Sequence, residues 1–206
     1  MSRKMTFWVL LFGLSLCSTT RILALDGKRK GFIIGIGAGG GLASYKSKVE
    51  LSSGNDFEGD RMNKFGIMTD FKLGYAPSNQ VAIFWTSKVA WFSQKIEGDP
   101  RFGIEDQSFI IANGMGGLGF AYYLQPDGPS LYLTGGLGFS SWATPFEEGS
   151  EASYGLGLSL GAGLEFSKHW SIEGNLVLGS PDEEFSGARS SVNTLGVRVT
   201  INRLGY

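Results

Sequence analysis

The chain has one cysteine, one histidine and only 6 prolines in 206 residues. A single thiol excludes a disulfide framework and a cysteine-built metal cluster. Sparse proline separates the high glycine content, 32 residues, from that of a disordered low-complexity tract. Charged residues make up 18% and nearly cancel, giving a formal net charge of −1. That leaves no electrostatic case for nucleic acid. No Asp-x-Asp-x-Asp-Gly loop occurs, so a dedicated calcium site is unsupported, and neither a metal nor a cofactor is expected. Nor is there an apolar run of about 20 residues, the length a membrane helix requires.

The longest apolar stretch, Met5 to Cys17, follows Arg3 and Lys4 and precedes Ile22-Leu23-Ala24. A basic start, a short apolar core and a small-residue site predict a signal peptide over 1–24. Its removal takes Cys17, Arg3, Lys4 and Arg21 but no acid, so the formal charge falls from −1 to −4. A short charged lead over 25–30 then precedes a single domain, 31–206.

What fills that domain is alternation. Phe65, Ile67, Thr69, Phe71, Leu73 and Tyr75 alternate with Lys64, Gly66, Met68, Asp70, Lys72 and Gly74. Tyr154 through Phe166 does the same, with leucines on one parity and mostly glycine and serine on the other. Period two is a strand with one face in an apolar medium. Strands are predicted at 31–45, 63–76, 80–92, 108–124, 130–143, 152–166, 169–180 and 190–202. The links 46–62, 93–107, 144–151 and 181–189 are long and polar. Those at 77–79, 125–129 and 167–168 are tight, built on Pro77-Ser78-Asn79, Pro126-Asp127-Gly128 and Ser167-Lys168. Alternately long and short links between strands of about ten residues predict an all-β fold: an eight-stranded antiparallel up-and-down transmembrane β-barrel.

Aromatics fall near both boundaries. Phe32, Tyr75, Tyr122, Phe166, Trp170 and Tyr206 lie near the short turns, and Phe65, Trp91, Phe139, Trp142 and Tyr154 near the other rim. Such bands are the girdles a lipid interface selects. A soluble barrel is the rival, but its second face would be rich in charge and threonine. Here that face is mostly Gly, Ala and Ser, which suits a crowded lumen.

From Lys30 to Tyr206 the chain resembles the small outer-membrane β-barrel proteins typified by OmpA and OmpX. The likeness rests on the opening strand Gly31-Phe-Ile-Ile-Gly-Ile-Gly-Ala-Gly39, the hairpin Gly163-Leu-Glu-Phe-Ser-Lys-His-Trp-Ser171 and a last strand ending in an aromatic. It implies an outer-membrane location and a structural or surface-interacting role, with adhesion or host-surface contact as forms of it; the alternation of long and short links places both chain ends in the periplasm. The peptidoglycan-binding domain that larger members append is not expected. One feature departs from the family. Leu204 and Tyr206 fall on the parity opposite to Leu195, Val197, Val199 and Ile201, which predicts a changed register or a bulge near Asn202.

Inside the barrel the alternation places Lys64, Asp70, Lys72, Lys88, Glu165, Glu173 and Arg198. Charges of both signs in a narrow lumen must pair. Heights above the short turns predict the pairs Glu173–Arg198 and Asp70–Lys88, with Lys72 nearby and Tyr132 and Asn175 adding hydrogen bonds. Such a network acts as a structural plug or as the constriction of a narrow channel. Two Gly-x-Gly-x-x-Gly matches, at Gly35 and Gly114, lack the helix that a dinucleotide site needs. His169 and Ser171 resemble the His-x-Ser pair of lipid A deacylases, and Glu183 is the acid the resemblance would supply. The predicted topology separates Glu183 from His169 by a membrane's thickness, so a hydrolase is the least favoured alternative. The long links carry Glu50, Asp56, Glu58, Asp60, Glu97, Asp99, Glu105, Asp106, Glu147, Glu148, Glu151, Asp182, Glu183 and Glu184. These carboxylates could share bridging divalent cations with lipopolysaccharide or face an extracellular partner. A monomer is expected.

Overall fold

The computed structural model describes residues 28–52, 56–96, 107–185 and 188–206. The expected leader and Glu97, Asp99, Glu105 and Asp106 lie outside them. Among the described residues nine strands are formed: β1 Gly31–Leu51, β2 Asp56–Glu58, β3 Met62–Ala76, β4 Val81–Ile96, β5 Gln107–Tyr123, β6 Ser130–Ala143, β7 Ser153–Ser167, β8 Trp170–Phe185 and β9 Ala188–Gly205. Each of β3 to β9 pairs antiparallel with its sequence neighbour, β1 pairs with β3, and β1 also pairs with β9, closing an eight-stranded ring. Strand β2 extends the β1–β3 hairpin upward: past the last β1–β3 rung, Tyr45–Met62, it pairs with the same edge of β1, with Lys48 opposite Glu58 and Glu50 opposite Asp56.

The stagger of the ring can be followed along one row of rungs. From Gly35 it passes through Lys72, Thr86, Gly117, Gly138, Gly157, Gly179 and Thr194 and returns to β1 at Tyr45. One circuit therefore climbs from residue 35 to residue 45 of the same strand. For eight strands such a shear tilts them by about 40° and leaves an interior that side chains can fill. Most of that row is glycine or threonine, as the narrow bore demands.

The apolar parity points outward along every long strand. Phe65 is 86% exposed, Leu156 69% and Ile67 65%, while Lys72, Lys88 and Glu173 on the other parity are buried. Exposed leucine, isoleucine and phenylalanine encircle the cylinder. A continuous apolar belt around a closed sheet without a free edge is stable only in hydrocarbon. The inverse arrangement of a soluble barrel, with its apolar face inward, is absent from the described ring.

Two expectations are corrected. The link 181–189 is not a long loop: β8 runs to Phe185 and β9 resumes at Ala188. Pro181 cannot donate to the β9 ladder, yet the rungs on either side, Gly179–Thr194 and Asp182–Ser191, keep one register. The proline interrupts pairing locally without ending the strand. There is also no bulge near Asn202. The β8–β9 rungs run unbroken from Leu176–Val197 through Ser171–Asn202 to Trp170–Arg203. The register shift lies instead between Glu165 and Ser167, next to the turn where His169 takes a φ of 70°. Leu204 and Tyr206 point inward because the end of the barrel is itself packed with apolar side chains.

Candidate functional site

The interior is closed at three heights. At the short-turn end, Ile33, Ala76, Ala82, Phe84, Ala121, Tyr123, Leu204 and Tyr206 form a buried apolar cluster. Through it passes Arg29, from the lead segment before β1. Its Nε donates to Glu165 Oε2 at 2.7 Å, its Nη1 reaches the carbonyls of Asn79, Gln125 and Pro126, and its Nη2 donates to Gly128 O at 2.6 Å. The guanidinium carbon lies 4.2 Å from the centre of the Tyr123 ring. Tyr206 donates to the other oxygen of Glu165 at 3.0 Å. Five donors in a planar fork suit these several acceptors, and lysine could not serve them all.

At mid-height lies the charge cluster. Lys88 Nζ sits 2.9 Å from Asp70 Oδ2 and 2.8 Å from Glu173 Oε1, and Lys72 Nζ 2.6 Å from Glu173 Oε2. Tyr132 and Asn175 each donate to Glu173 at 2.8 Å. Glu173 therefore accepts four hydrogen bonds, and each is explained by a narrow bore. Lys72 and Lys88 stand on β3 and β4, across the ring from β8, and their stems span it. The pairing of Glu173 with Arg198 is corrected: the two form no ion pair. Glu173 is occupied by the lysines, and Arg198 instead donates from Nη2 to Thr69 O at 2.6 Å. The close fit is visible at Gly163, where an added Cβ would run into the Tyr132 ring, and at Gly161, where it would meet the Asn175 amide.

Toward the other end, Ala43, Tyr45, Met68, Ala90, Phe92 and Ile111 form a second buried cluster, with Trp142 packed against it. The Tyr45 and Trp142 rings are 4.8 Å apart, and Tyr45 donates to Gln94 Oε1 at 2.6 Å. The assignment of Trp142 to the outer girdle, made on its height, is corrected. It belongs inside, on the same parity as Tyr132 and Ser140, where it helps cap the lumen.

The other proposed site residues are placed as follows. Lys64 is half-buried opposite Ala43 and forms no ion pair among the described residues. Glu165 lies apart from the central cluster, at the short-turn end with Arg29. Phe32, Tyr75, Tyr122, Phe166 and Trp170 face outward at that end, and Phe65, Phe139 and Tyr154 face outward toward the other. Trp91 is half-buried on the outer wall, its Nε1 donating to Thr69 Oγ1 at 2.9 Å. Ser171 is fully buried, its hydroxyl 3.1 Å from the Tyr132 oxygen within the lumen and donating to it, while Glu183 accepts from Ser153 beyond the far rim. The His169, Ser171 and Glu183 side chains are not brought together.

Arg29 is the functional residue that sequence reasoning missed. The basic run Lys28-Arg29-Lys30 is visible, but nothing in its spacing distinguishes a buried arginine from a solvated lead.

No family model and no curated protein sequence matches the chain. Among solved structures, the outer membrane protein OprG from Pseudomonas aeruginosa is 13% identical with a TM-score of 0.51, over 86% of this chain and 98% of that one. The chain has the fold of the small outer-membrane β-barrels. Ail, the attachment invasion locus protein of Yersinia pestis, solved with the heparin analogue sucrose octasulfate, is 14% identical over 82% of this chain and 99% of its own, at a TM-score of 0.40. Neisserial surface protein A is 15% identical over 81% and 96%, also at 0.40. Besides the charges inside the barrel, a second group of charged residues lies at the rim above β1, β2, β8 and β9.

At that rim several exposed charges are paired. Lys46 lies 2.7 Å from Glu58, Lys48 3.0 Å from Asp56 and 2.6 Å from Glu50, and Arg189 2.8 Å from Asp182. The hydrogen bond from Lys46 holds the Glu58 carboxyl below the usual carboxylate range. Bonds to Glu50 and Asp56 push the Lys48 ammonium upward.

Proposed function

We propose that this protein is a structural, surface-displaying barrel of the outer membrane: its lumen is a plug, and its long-loop rim is the surface that meets other molecules. The observation that carries this reading is the threefold closure of the bore, by the Arg29 anchor, the Glu173 cluster and the Tyr45–Trp142 cap. A solute path would have to break at least one fully buried ion pair and separate both aromatic clusters. Breaking a buried pair costs about 3–5 kcal/mol. We place the short turns and both chain ends in the periplasm and strand β2 outside, with 1–24 removed as a leader. The rim's acids, including Glu147, Glu148 and Glu151, then face the exterior, suited to divalent cations or a basic partner. The chain acts without catalysis in this reading: Ser171 of the His-x-Ser pair is sealed in the lumen, away from Glu183.

Two experiments test this reading. Protein reconstituted in planar bilayers gives no discrete conductance steps, and removing the Tyr45–Trp142 cap by Trp142→Ala leaves the bore closed. Steps in the wild-type protein would replace the plug by a channel. Exchanging the rim segments 52–61 and 144–152 for neutral loops changes cell-surface behaviour while leaving folding intact.

A further inference from the structure

The outer wall is not uniformly apolar. A groove of about 480 Å³ runs across β7, β8 and β9 near the long-loop rim, lined below by Leu156, Leu158, Leu178 and Leu195 and above by Asn193 and Arg61. Leu158, Leu178, Leu195 and Ser44 sit on one row of rungs across four strands. One step higher, Leu156 pairs with Ser180, and Asn193 pairs with Lys46. Polarity thus changes sharply along the groove, from leucine to amide and guanidinium.

Arg61 differs from its charged neighbours. Lys46, Lys48 and Arg189 are matched by Glu58, Glu50, Asp56 and Asp182. Arg61 donates one bond, from Nη1 to Ser44 Oγ at 3.1 Å, and has no carboxylate within salt-bridge reach among the described residues. That single contact draws the guanidinium over the outer wall. Asn193 accepts from Ser180 at 3.1 Å, so its amide N–H groups stay available to a ligand.

We propose that this groove binds a phosphorylated lipid of the outer leaflet, with its acyl chain on the leucine row and its phosphate on Arg61 and Asn193. The inference rests on the orientation proposed above. The groove's polarity, apolar toward mid-wall and amide and guanidinium at the rim, runs in the same direction as that of an outer-leaflet lipid with its phosphate at the surface. Arginine's fork matches two phosphate oxygens, an interaction a lysine makes only as a point charge.

The test is lipid retention by the full chain, folded in detergent and observed by native mass spectrometry. The probes are dioleoyl phosphatidic acid, dioleoylglycerol with the same chains but no phosphate, and inorganic phosphate alone. The wild-type protein retains the phosphatidic acid about tenfold over the diacylglycerol, the ratio expected from one good charge-assisted contact. Arg61→Ala abolishes that preference, Arg61→Lys keeps some of it, and Leu178→Ser weakens retention of both lipids. Arg203→Ala, which removes a cation from the opposite rim, leaves retention unchanged. Equal retention of the two lipids, an unaffected Arg61→Ala, an equally affected Arg203→Ala, or displacement by inorganic phosphate would each overturn the site. A gel-mobility shift on boiling is read on the same samples. Its absence would defeat the barrel itself, whereas its presence beside equal lipid retention defeats only the groove.

Discussion

Replacing Glu173 by glutamine asks how much the central cluster contributes. The wild-type carboxylate accepts from Lys72, Lys88, Tyr132 and Asn175, all buried. Glutamine keeps one carbonyl oxygen but turns an NH2 group toward an ammonium, so one lysine faces a donor. Asp70 remains 2.9 Å from Lys88 but 3.8 Å from Lys72, too far to replace what Lys72 has lost. Removing one partner of a buried pair costs about 3–5 kcal/mol. The folding constant should then fall by about two to four orders of magnitude. Urea titration of the protein folded in lipid vesicles, read by tryptophan fluorescence and by mobility of unboiled samples, measures this directly. The double variant Lys72→Met with Glu173→Met removes a matched pair and leaves Asp70–Lys88 intact, so it should be milder than Glu173→Gln. A Glu173→Gln change within about 0.5 kcal/mol of wild type would refute the plug as a source of stability.

Arg29→Ala strands Glu165 at the short-turn end and should destabilise by about 3 kcal/mol, with Arg29→Lys intermediate; the same urea titration checks both. Gly163→Ala forces the Tyr132 ring off Glu173 and should cost about 1–3 kcal/mol, read as a lowered midpoint with an unchanged slope. Strand β2 should loosen from β1 in acid. Because the folded Glu58 value is lowered, its stabilisation is present above the ordinary carboxylate range and is lost as pH falls through the lowered value. Amide exchange at Phe57 should then accelerate while that at Leu137 does not.

The strands and their faces were legible because a lipid belt and a narrow lumen impose opposite chemistries on alternate residues. Position 142 shows where reasoning by height fails. Trp142 shares the parity of Tyr132 and Ser140, and parity alone turns it inward. Leu204 and Tyr206 mislead in the same way: an apolar residue is expected to face lipid, but both ends of the bore are also apolar. The Glu173–Arg198 pairing fails for a different reason. Rung neighbours can be counted from sequence, but contacts across the bore depend on its diameter and on which long side chain arrives. Pro181 suggests a strand end, although antiparallel pairing continues past it. Arg29 left no pattern, since its acceptors come from two separate turns and β7.

Those acceptors have an implication for assembly. Asn79, Gln125, Pro126 and Gly128 belong to hairpins on one side of the circumference, Glu165 to another, and Tyr206 follows the strand that closes the seam with β1. The arginine can collect its acceptors, and Tyr206 can join it on Glu165, only after the β3–β4 and β5–β6 turns, β7 and the end of β9 have come together. It is therefore a completion check: a half-threaded or mis-registered cylinder leaves a bare guanidinium at its mouth, and only the finished one draws it shut.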